Sequence, residues 1–289
     1  MLYIALTLGV IIAFTLLALR RNALIYLSLA LVLIYFLEIF ILYSQGFSGI
    51  EKYFHALSCK SSVLDVGILT SIYLHSLNPG HIFFNILIFF LIGLPFERKI
   101  GGFWFTLIFL ISGIAANIGY SIFLSLSGIS SYLLGASGAI FGIMGAFLIL
   151  YPNDEIAMFL GPVLMPRIKV KYAVLSLMAV EFLLTFLWVN DNVAHGAHVI
   201  GAVAGALMGY FLKSHTPTPR LRSSRIDYEL LESLSDTEEL RNIVKRIRAE
   251  NDELIQNSWI EEFFRKKYGD AKWEGKYIIS GGRRYRIRR

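Results

Sequence analysis

The sequence predicts an all-α, polytopic membrane protein, and three observations carry the prediction. Hydrophobic residues make up 56% of the 289 residues and charged residues only 17%, and the mean hydropathy is +0.61. A soluble domain has about 45–50% apolar and about 25% charged residues. Uncharged runs of about 20 residues, the length that crosses the hydrocarbon of a bilayer, recur through the first three quarters of the chain. This composition excludes a disordered chain and an ordinary soluble domain.

Seven runs with at most one charged residue each are predicted to be transmembrane helices. They are 1–19, 22–43, a run that ends at Phe96, two runs within 100–153, and then 172–190 and 193–212. The stretch 100–153 is too long for one helix, and a serine- and glycine-rich break at 125–131 divides it. The first run lacks the basic start and the cleavage site of a signal peptide. We therefore expect it to remain as an extra N-terminal helix.

Charge divides the chain into three parts: residues 1–21 as the extra helix, 22–213 as a helical core, and 214–289 as a polar basic C-terminal region. The last part holds 17 of the 27 Lys and Arg residues and 13 of the 21 Asp and Glu residues. Basic residues otherwise concentrate in alternate loops, which by the positive-inside rule predicts an N-terminus outside the cell membrane and a C-terminus in the cytoplasm. A basic cytoplasmic region suits anionic lipid at least as well as nucleic acid, so no nucleic-acid partner is predicted.

Within the C-terminal region, apolar periodicity over 226–268 predicts one or two helices. Ser235-x-x-Glu238 is a possible capping box for one of them. Residues 276–289, with two glycines between apolar and basic runs, predict a hairpin with a basic strand.

Ser137 is predicted to lie within the membrane, at the start of a short helix. The segment 135–142 opens a helix that must end near Pro152, because proline lacks the amide donor and clashes with the preceding turn. About 16 residues reach roughly 24 Å, which is less than the hydrocarbon thickness of about 30 Å. With its far end at the cytoplasmic surface, this helix begins below the outer surface. A helix cap or close helix packing would also explain a small residue there.

Three further polar residues are predicted at the same depth. His198 lies one turn into the last span, on the helix face that also carries Gly201, and this face can approach another glycine-bearing helix closely. Pro79 marks the outer start of the third span, which places His81 at its mouth and Asn85 one turn deeper. Histidine and asparagine are costly inside a membrane unless they are paired, and they indicate function by default.

These four residues fit acyl transfer. A serine hydroxyl becomes a good nucleophile when a neighbouring imidazole accepts its proton. The developing oxyanion requires preorganised donors, which His81, Asn85 and the backbone N–H at the start of the Ser137 helix can supply. No aspartate is positioned to orient His198, since Asp191 is a loop residue, and a Ser–His dyad is predicted.

Four motifs occur in order along residues 22–213: His81-x-x-x-Asn85, Glu97-Arg98-Lys99-Ile100-Gly101, Gly135-Ala136-Ser137-Gly138, and Gly196-Ala197-His198 with Gly201 and Gly205. Together they resemble the rhomboid family of intramembrane serine proteases. The resemblance implies a six-helix catalytic core, with Ser137 as nucleophile, His198 as general base, and His81 with Asn85 as the oxyanion hole. It also implies that Phe141 packs against the imidazole and that Gly201 supports the helix contact.

The function predicted in this way is a serine endopeptidase that cuts single-span membrane proteins in or near their transmembrane segments, without a cofactor or metal. One alternative is a rhomboid-like protein that binds or escorts transmembrane helices. A transporter fits less well, because the polar residues cluster near one face and no internal repeat is evident. The sequence does not indicate an oligomeric state.

Several other polar residues are predicted to have structural roles. Glu38 and Glu181 are intramembrane carboxylates without a motif partner, and we expect each to make a hydrogen-bonded helix contact or to be a protonated acid. We expect His195 to be a hydrated histidine near a loop, and His75 to make structural hydrogen bonds. No metal site is predicted among the histidines, because the sequence contains neither His-x-x-x-His nor HExxH.

Overall fold

The structure is a computed structural model that describes residues 1–20, 22–60, 66–160, 163–187, 193–215, 226–250, 253–274 and 277–287. The chain forms two compact units, Met1–Thr216 and Pro217–Arg289. Most of the described residues are helical. Predicted positions that fall in the gaps, including residues 21, 188–190, 276 and 288–289, lie outside the described residues.

The first unit contains seven α-helices among its described residues: α1 (Leu2–Arg20), α2 (Ala23–Leu57), α3 (Gly67–Thr70), α4 (Pro79–Leu126), α5 (Ser137–Leu150), α6 (Val170–Leu187) and α7 (His195–His215). By length and apolar composition, α1, α2, α4, α6 and α7 could each cross a membrane, and α5 is a shorter apolar helix. A 3-10 turn at Ser71–Tyr73 follows α3 directly. Asn78 begins α4 by accepting a hydrogen bond from the Gly80 N–H, with Pro79 at the first helical position.

Two glycines with positive φ interrupt the longest helices. Gly46 (φ 69°) breaks α2 three residues beyond the predicted end of the second span, and Gly101 (φ 78°) divides α4 between the predicted third and fourth spans. Only glycine adopts this backbone conformation without strain. Gly46 was not anticipated, and helical structure resumes after it as far as Leu57. The predicted break at 125–131 is confirmed, since α4 ends at Leu126 and α5 begins at Ser137.

The helices α5 and α7 pack backbone to backbone. A Cβ added to Gly201 would lie 2.1 Å from the carbonyl oxygen of Gly138, and one added to Gly205 would lie 1.8 Å from that of Gly142. The paired residues advance together in steps of four, which means that the two helices run parallel and in register. Small residues at this spacing allow the closest approach of membrane helices, and the glycine face predicted from the sequence is confirmed.

Glu97 and Lys99 connect elements at the opposite end of α5 from Ser137. The Glu97 carboxylate accepts hydrogen bonds from the backbone N–H groups of Ala23 (2.5 Å) and Leu24 (3.0 Å), which have no partner inside α2 because they open it. Lys99 forms a 2.8 Å ion pair with Asp154, just beyond the end of α5. The Glu97 motif therefore caps a neighbouring helix.

Short strands that the sequence analysis missed lie on either side of α5. Strands β1 (Cys59–Lys60) and β2 (Tyr132–Leu133) pair antiparallel, as do β3 (Glu155–Leu160) and β4 (Val163–Lys169). The first pair holds the chain that leads into α5 against the segment after α2. The two-residue length of β1 and β2 leaves no periodicity to detect.

The N-terminal helix is attached to the rest of the unit by two hydroxyl pairs. Thr7 Oγ1 lies 2.7 Å from the Tyr53 hydroxyl, and Thr15 Oγ1 lies 2.8 Å from the Tyr73 hydroxyl. Apolar contacts through Ile11 and Ala18 complete the interface.

The second unit has its own hydrophobic core, formed by residues such as Ile247, Phe263, Phe264 and Ile278. Its elements are α8 (Tyr228–Ser233), α9 (Glu238–Ala249), α10 (Glu253–Tyr268), β5 (Lys272–Glu274), β6 (Tyr277–Ser280) and β7 (Arg283–Arg286), with sheet order β5-β6-β7. The predicted hairpin is the β6–β7 pair, turning at two glycines with positive φ.

The predicted capping box was wrong. Thr237 is the N-cap of α9, and its Oγ1 accepts a hydrogen bond from the Leu240 N–H. Ser235 instead donates its hydroxyl to the carbonyl of Leu231 at the end of α8. Both residues satisfy the sequence preference for a cap, and the preceding helix decides between them.

Candidate active site

Ser137 and His198 lie in direct contact at the N-terminal ends of α5 and α7. The distance between Ser137 Oγ and His198 Nε2 is 2.8 Å, which is a hydrogen bond. Ser137 is the first residue of α5, and His198 lies one turn into α7. This approach is fixed by the close contact between Gly138, one residue after Ser137, and Gly201, three residues after His198.

Phe141 stacks on the imidazole of His198. The ring centroids are 4.5 Å apart and the ring planes differ by 14°. Phe141 is one turn after Ser137 on the same helix, so α5 supplies both the hydroxyl and a flat apolar surface against the ring. Together they restrict the imidazole to one orientation.

The loop before Ser137 is held by a backbone contact and by a glycine. The Gly135 N–H donates to the Ser71 carbonyl (2.9 Å), and Gly135 has φ 127°. A Cβ added there would lie 2.8 Å from His81 Nε2 and 3.8 Å from Ser137 Oγ. The two polar atoms therefore flank the same small space above Gly135, which a side chain would fill.

His81 presents a hydrogen-bond donor to that space. Its Nδ1 accepts from the backbone N–H of Ser76 (3.3 Å), which can only donate, and lies 3.0 Å from Ser76 Oγ. The neutral ring must therefore carry its proton on Nε2, the nitrogen nearest Gly135. A donor aimed beside the serine hydroxyl has the form of an oxyanion-hole group.

Asn85 lies one turn after His81 on α4, as the sequence predicted, and is buried. Its Nδ2 has no hydrogen-bond partner among the described residues. A buried amide donor left unpaired costs free energy, about 1–3 kcal/mol, and such groups need an explanation. A ligand oxygen that arrives only during the reaction would supply one.

Glu181 and His195 complete a cluster that the sequence analysis did not predict. Oε2 of Glu181 lies 2.8 Å from His198 Nδ1 and 2.7 Å from His195 Nδ1. The sequence analysis predicted a Ser–His dyad because no aspartate was positioned beside His198, and the structure brings the carboxylate of Glu181 to its Nδ1 instead. The expectation of a hydrated His195 was wrong, since only 7% of the residue is exposed. A carboxylate inside a span was the available signal, but its rotation around α6 was not readable from the sequence.

The donor atoms of Glu181, His195 and His198 all lie within 4.8 Å of one another, a spacing that is also found around bound metal ions. Two ligands of one tetrahedral zinc ion, each about 2.0–2.2 Å from the metal, are about 3.3 Å apart. The separations of 2.7 and 2.8 Å are shorter and correspond to hydrogen bonds. The arrangement is a carboxylate shared by two imidazoles.

Glu38 and His75 form a second buried polar group beside the site. The Glu38 carboxylate accepts a hydrogen bond from the His75 backbone N–H (3.1 Å), while both ring nitrogens of His75 lack a partner among the described residues. The structural hydrogen bond expected of His75 is thus made by its backbone. Burial, together with the neighbouring His81 ring 5.0 Å away, lowers the pKa of His75 to about 3 and keeps its ring neutral.

Comparison with known proteins places the chain in a family. The Rhomboid domain family matches residues 66–215. The chain is 31% identical over 145 residues to the "Putative rhomboid protease YdcA" of Bacillus subtilis (strain 168), covering 50% of the chain and 65% of that protein. It is 34% identical over 166 residues to "Rhomboid protease AarA" of Providencia stuartii, covering 50% of the chain and 56% of that protein. The matched region spans less than two thirds of the length of either relative.

The apolar helices and this family match define an integral, multi-pass membrane protein. The chain belongs to the rhomboid family. The match covers α4 to α7 and so includes all four residues of the predicted site together with Glu181 and His195.

Proposed function

We propose that the protein is an intramembrane serine endopeptidase that hydrolyses peptide bonds in or near the transmembrane segments of membrane proteins. The observation that carries this proposal is the 2.8 Å hydrogen bond between Ser137 Oγ and His198 Nε2, made by two helices of a rhomboid-family chain. A serine hydroxyl beside an unprotonated imidazole nitrogen is the arrangement of an activated nucleophile.

In the proposed reaction, Ser137 Oγ attacks the substrate carbonyl carbon while its proton passes to His198 Nε2. The carbonyl oxygen becomes an oxyanion, which accepts hydrogen bonds from the Nε2–H of His81 and the Nδ2–H of Asn85. The C–N bond then breaks, and His198 gives its proton to the departing amine. Water, deprotonated by the same imidazole, hydrolyses the acyl-serine ester and restores the hydroxyl. These steps consume one water and require no cofactor.

The proposed site opens to the extracytoplasmic side, because α5 is short and begins at Ser137. Its 14 residues reach about 21 Å at 1.5 Å each, so its N-terminal end lies below one membrane surface. By the positive-inside rule, that surface faces the exterior, the N-terminus is external and the C-terminal unit is cytoplasmic. In this proposal α1 is an addition to a six-helix rhomboid core. Substrates would be single-span proteins with small or helix-breaking residues near the cut, where unwinding costs least.

A fluorophosphonate probe, which reacts with activated serines, tests the proposal on the full-length protein. We expect labelling of the wild type and none of Ser137→Ala or His198→Ala, with Ser112→Ala, another α4–α5 contact serine, labelled as a control. Cleavage of single-span substrates in liposomes, with product masses, would then locate the cut. A correctly folded wild type that neither reacts nor cleaves would favour a protein that binds or escorts helices.

A further inference from the structure

We propose that Glu181 is a positioning residue that holds His198 in its reactive tautomer, so that the site works as a Ser137–His198–Glu181 triad. The inference rests on the proposed protease function and deepens it. It departs from the dyad predicted from the sequence, and it concerns a side chain that lies on α6, outside the motifs.

Two distances define the proposed triad. His198 Nε2 is 2.8 Å from Ser137 Oγ, and His198 Nδ1 is 2.8 Å from Glu181 Oε2. The imidazole is therefore bonded on one side to the nucleophile and on the other to a carboxylate. The side chain of His198 is 8% exposed and that of Glu181 is 14% exposed, so little solvent competes for these bonds.

The carboxylate sets which nitrogen carries the proton. An ionised carboxylate only accepts hydrogen bonds, so Nδ1 of His198 must donate and Nε2 must be free to take the serine proton. When the proton arrives, the imidazolium lies 2.8 Å from a negative charge, which stabilises it. Among the residues that the structure describes, the other titratable groups near the ring are His195 on α7 and His81 on α4, and both are bases without negative charge.

His195 holds the carboxylate in place. Its Nδ1 is 2.7 Å from the same Oε2 atom that His198 contacts. Two imidazole donors that converge on one oxygen restrict the rotation of the Glu181 side chain about its last bond. The carboxylate is thereby preorganised before substrate binds.

The position of Glu181 on α6 makes a packing role a poor explanation of this contact. The buried residues of α6 are Val170, Ala173 and Val174 at its start. Around Glu181 the helix exposes large apolar side chains, including Val180, Phe182 and Leu183. A carboxylate inserted into that stretch costs free energy unless it has a specific polar partner, and the partner here is the proposed general base.

The test compares Glu181→Gln and Glu181→Asp with wild type, with Ser176→Ala as a matched polar change elsewhere on α6. We would measure the rate constant of fluorophosphonate labelling against pH, and kcat and KM for a single-span substrate in liposomes. Glutamine keeps the shape but can donate to Nδ1 and favour the wrong tautomer. Aspartate keeps the charge and shortens the reach.

We expect Glu181→Gln to lower the labelling rate and kcat by about 10²-fold or more, and at most about 10⁴-fold, with KM little changed. Loss of the negative charge removes the group that stabilises the imidazolium, so the pH profile should differ from that of wild type. Glu181→Asp should retain more activity than Glu181→Gln, and Ser176→Ala should match wild type. A purely structural role would not displace the pH profile.

The proposal is overturned if folded Glu181→Gln labels at the wild-type rate with the wild-type profile. That result would leave Ser137-dependent activity, and thus the protease function, intact. Absent labelling of wild type would instead reject the protease function itself. Should the glutamine variant fail to fold, nitrogen NMR of ¹⁵N-histidine wild type decides, because a neutral His198 with its proton on Nε2 contradicts the proposal.

Discussion

Gly205 faces Gly142 so closely that a Cβ on Gly205 would lie 1.8 Å from the Gly142 carbonyl oxygen. The obstacle is backbone, which cannot move aside as the end of a flexible side chain can. The contact is one step along the same interface from the pair that positions Ser137 and His198. Any separation of α5 from α7 at this contact would therefore lengthen the distance between Ser137 Oγ and His198 Nε2.

Gly205→Ala should therefore destabilise the protein and reduce its activity. Overpacking at a rigid contact costs about 1–3 kcal/mol and sometimes more. Thermal unfolding in detergent and the fluorophosphonate labelling rate would measure the two effects. Gly9→Ala on α1 is the matched control, because no atom lies within 4 Å of its added Cβ. Equal stability of the two variants would contradict the close packing.

Asn85→Ala should reduce kcat without reducing stability. The amide Nδ2 is buried and unpaired among the described residues, so its removal relieves a desolvation cost while it removes an oxyanion donor. We expect a loss of about 10²- to 10³-fold in kcat and an unchanged or slightly higher unfolding temperature. A variant that loses stability and keeps its kcat would assign Asn85 to the fold.

Phe141→Ala should slow acylation through the orientation of His198. The lost stack, with centroids 4.5 Å apart, is worth about 0.5–1.5 kcal/mol beyond its buried area, which corresponds to roughly 2- to 13-fold in rate. Phe141→Tyr should remain close to wild type. Single-turnover labelling rates would compare the variants, with Phe182→Ala, an exposed aromatic on α6, as the control.

Glu97→Ala should weaken the start of α2. The carboxylate accepts two backbone N–H groups there, and loss of a helix cap costs about 0.5–2 kcal/mol. The same change at Glu51, which is exposed on α2, should have little effect. Amide hydrogen exchange of Ala23 and Leu24 would increase in the first variant only. Unchanged protection would show that the cap is dispensable.

The spacing of the glycines and of Ser137 made the Ser137–His198 part of the site predictable from the sequence. Gly138, Gly142, Gly201 and Gly205 recur at four-residue steps, and this periodicity identifies the faces that meet. Once two helices are paired on known faces, the depth of Ser137 and His198 follows from helix rise. The agreement with the structure at this contact comes from local spacing alone.

The carboxylate end of the site was not predictable in the same way. Glu181 is one residue within an apolar helix, and its relation to His198 depends on how α6 is rotated against α7. No repeated spacing records that rotation. The β1–β2 pair and the cap at Thr237 were missed for a related reason, since each is decided by neighbours distant in sequence or by a competing residue nearby.

The two threonine–tyrosine pairs of α1 connect this helix to α2 and to the 3-10 turn. If α1 were deleted, the hydroxyls of Tyr53 and Tyr73 would lose their hydrogen-bond partners, the threonine oxygens 2.7 and 2.8 Å away. They would then be left without a partner in an apolar environment. Tyr73 belongs to the short turn whose Ser71 carbonyl receives the Gly135 N–H. Truncating the protein to the matched domain, residues 66–215, would therefore remove a contact of the turn that holds the loop before Ser137.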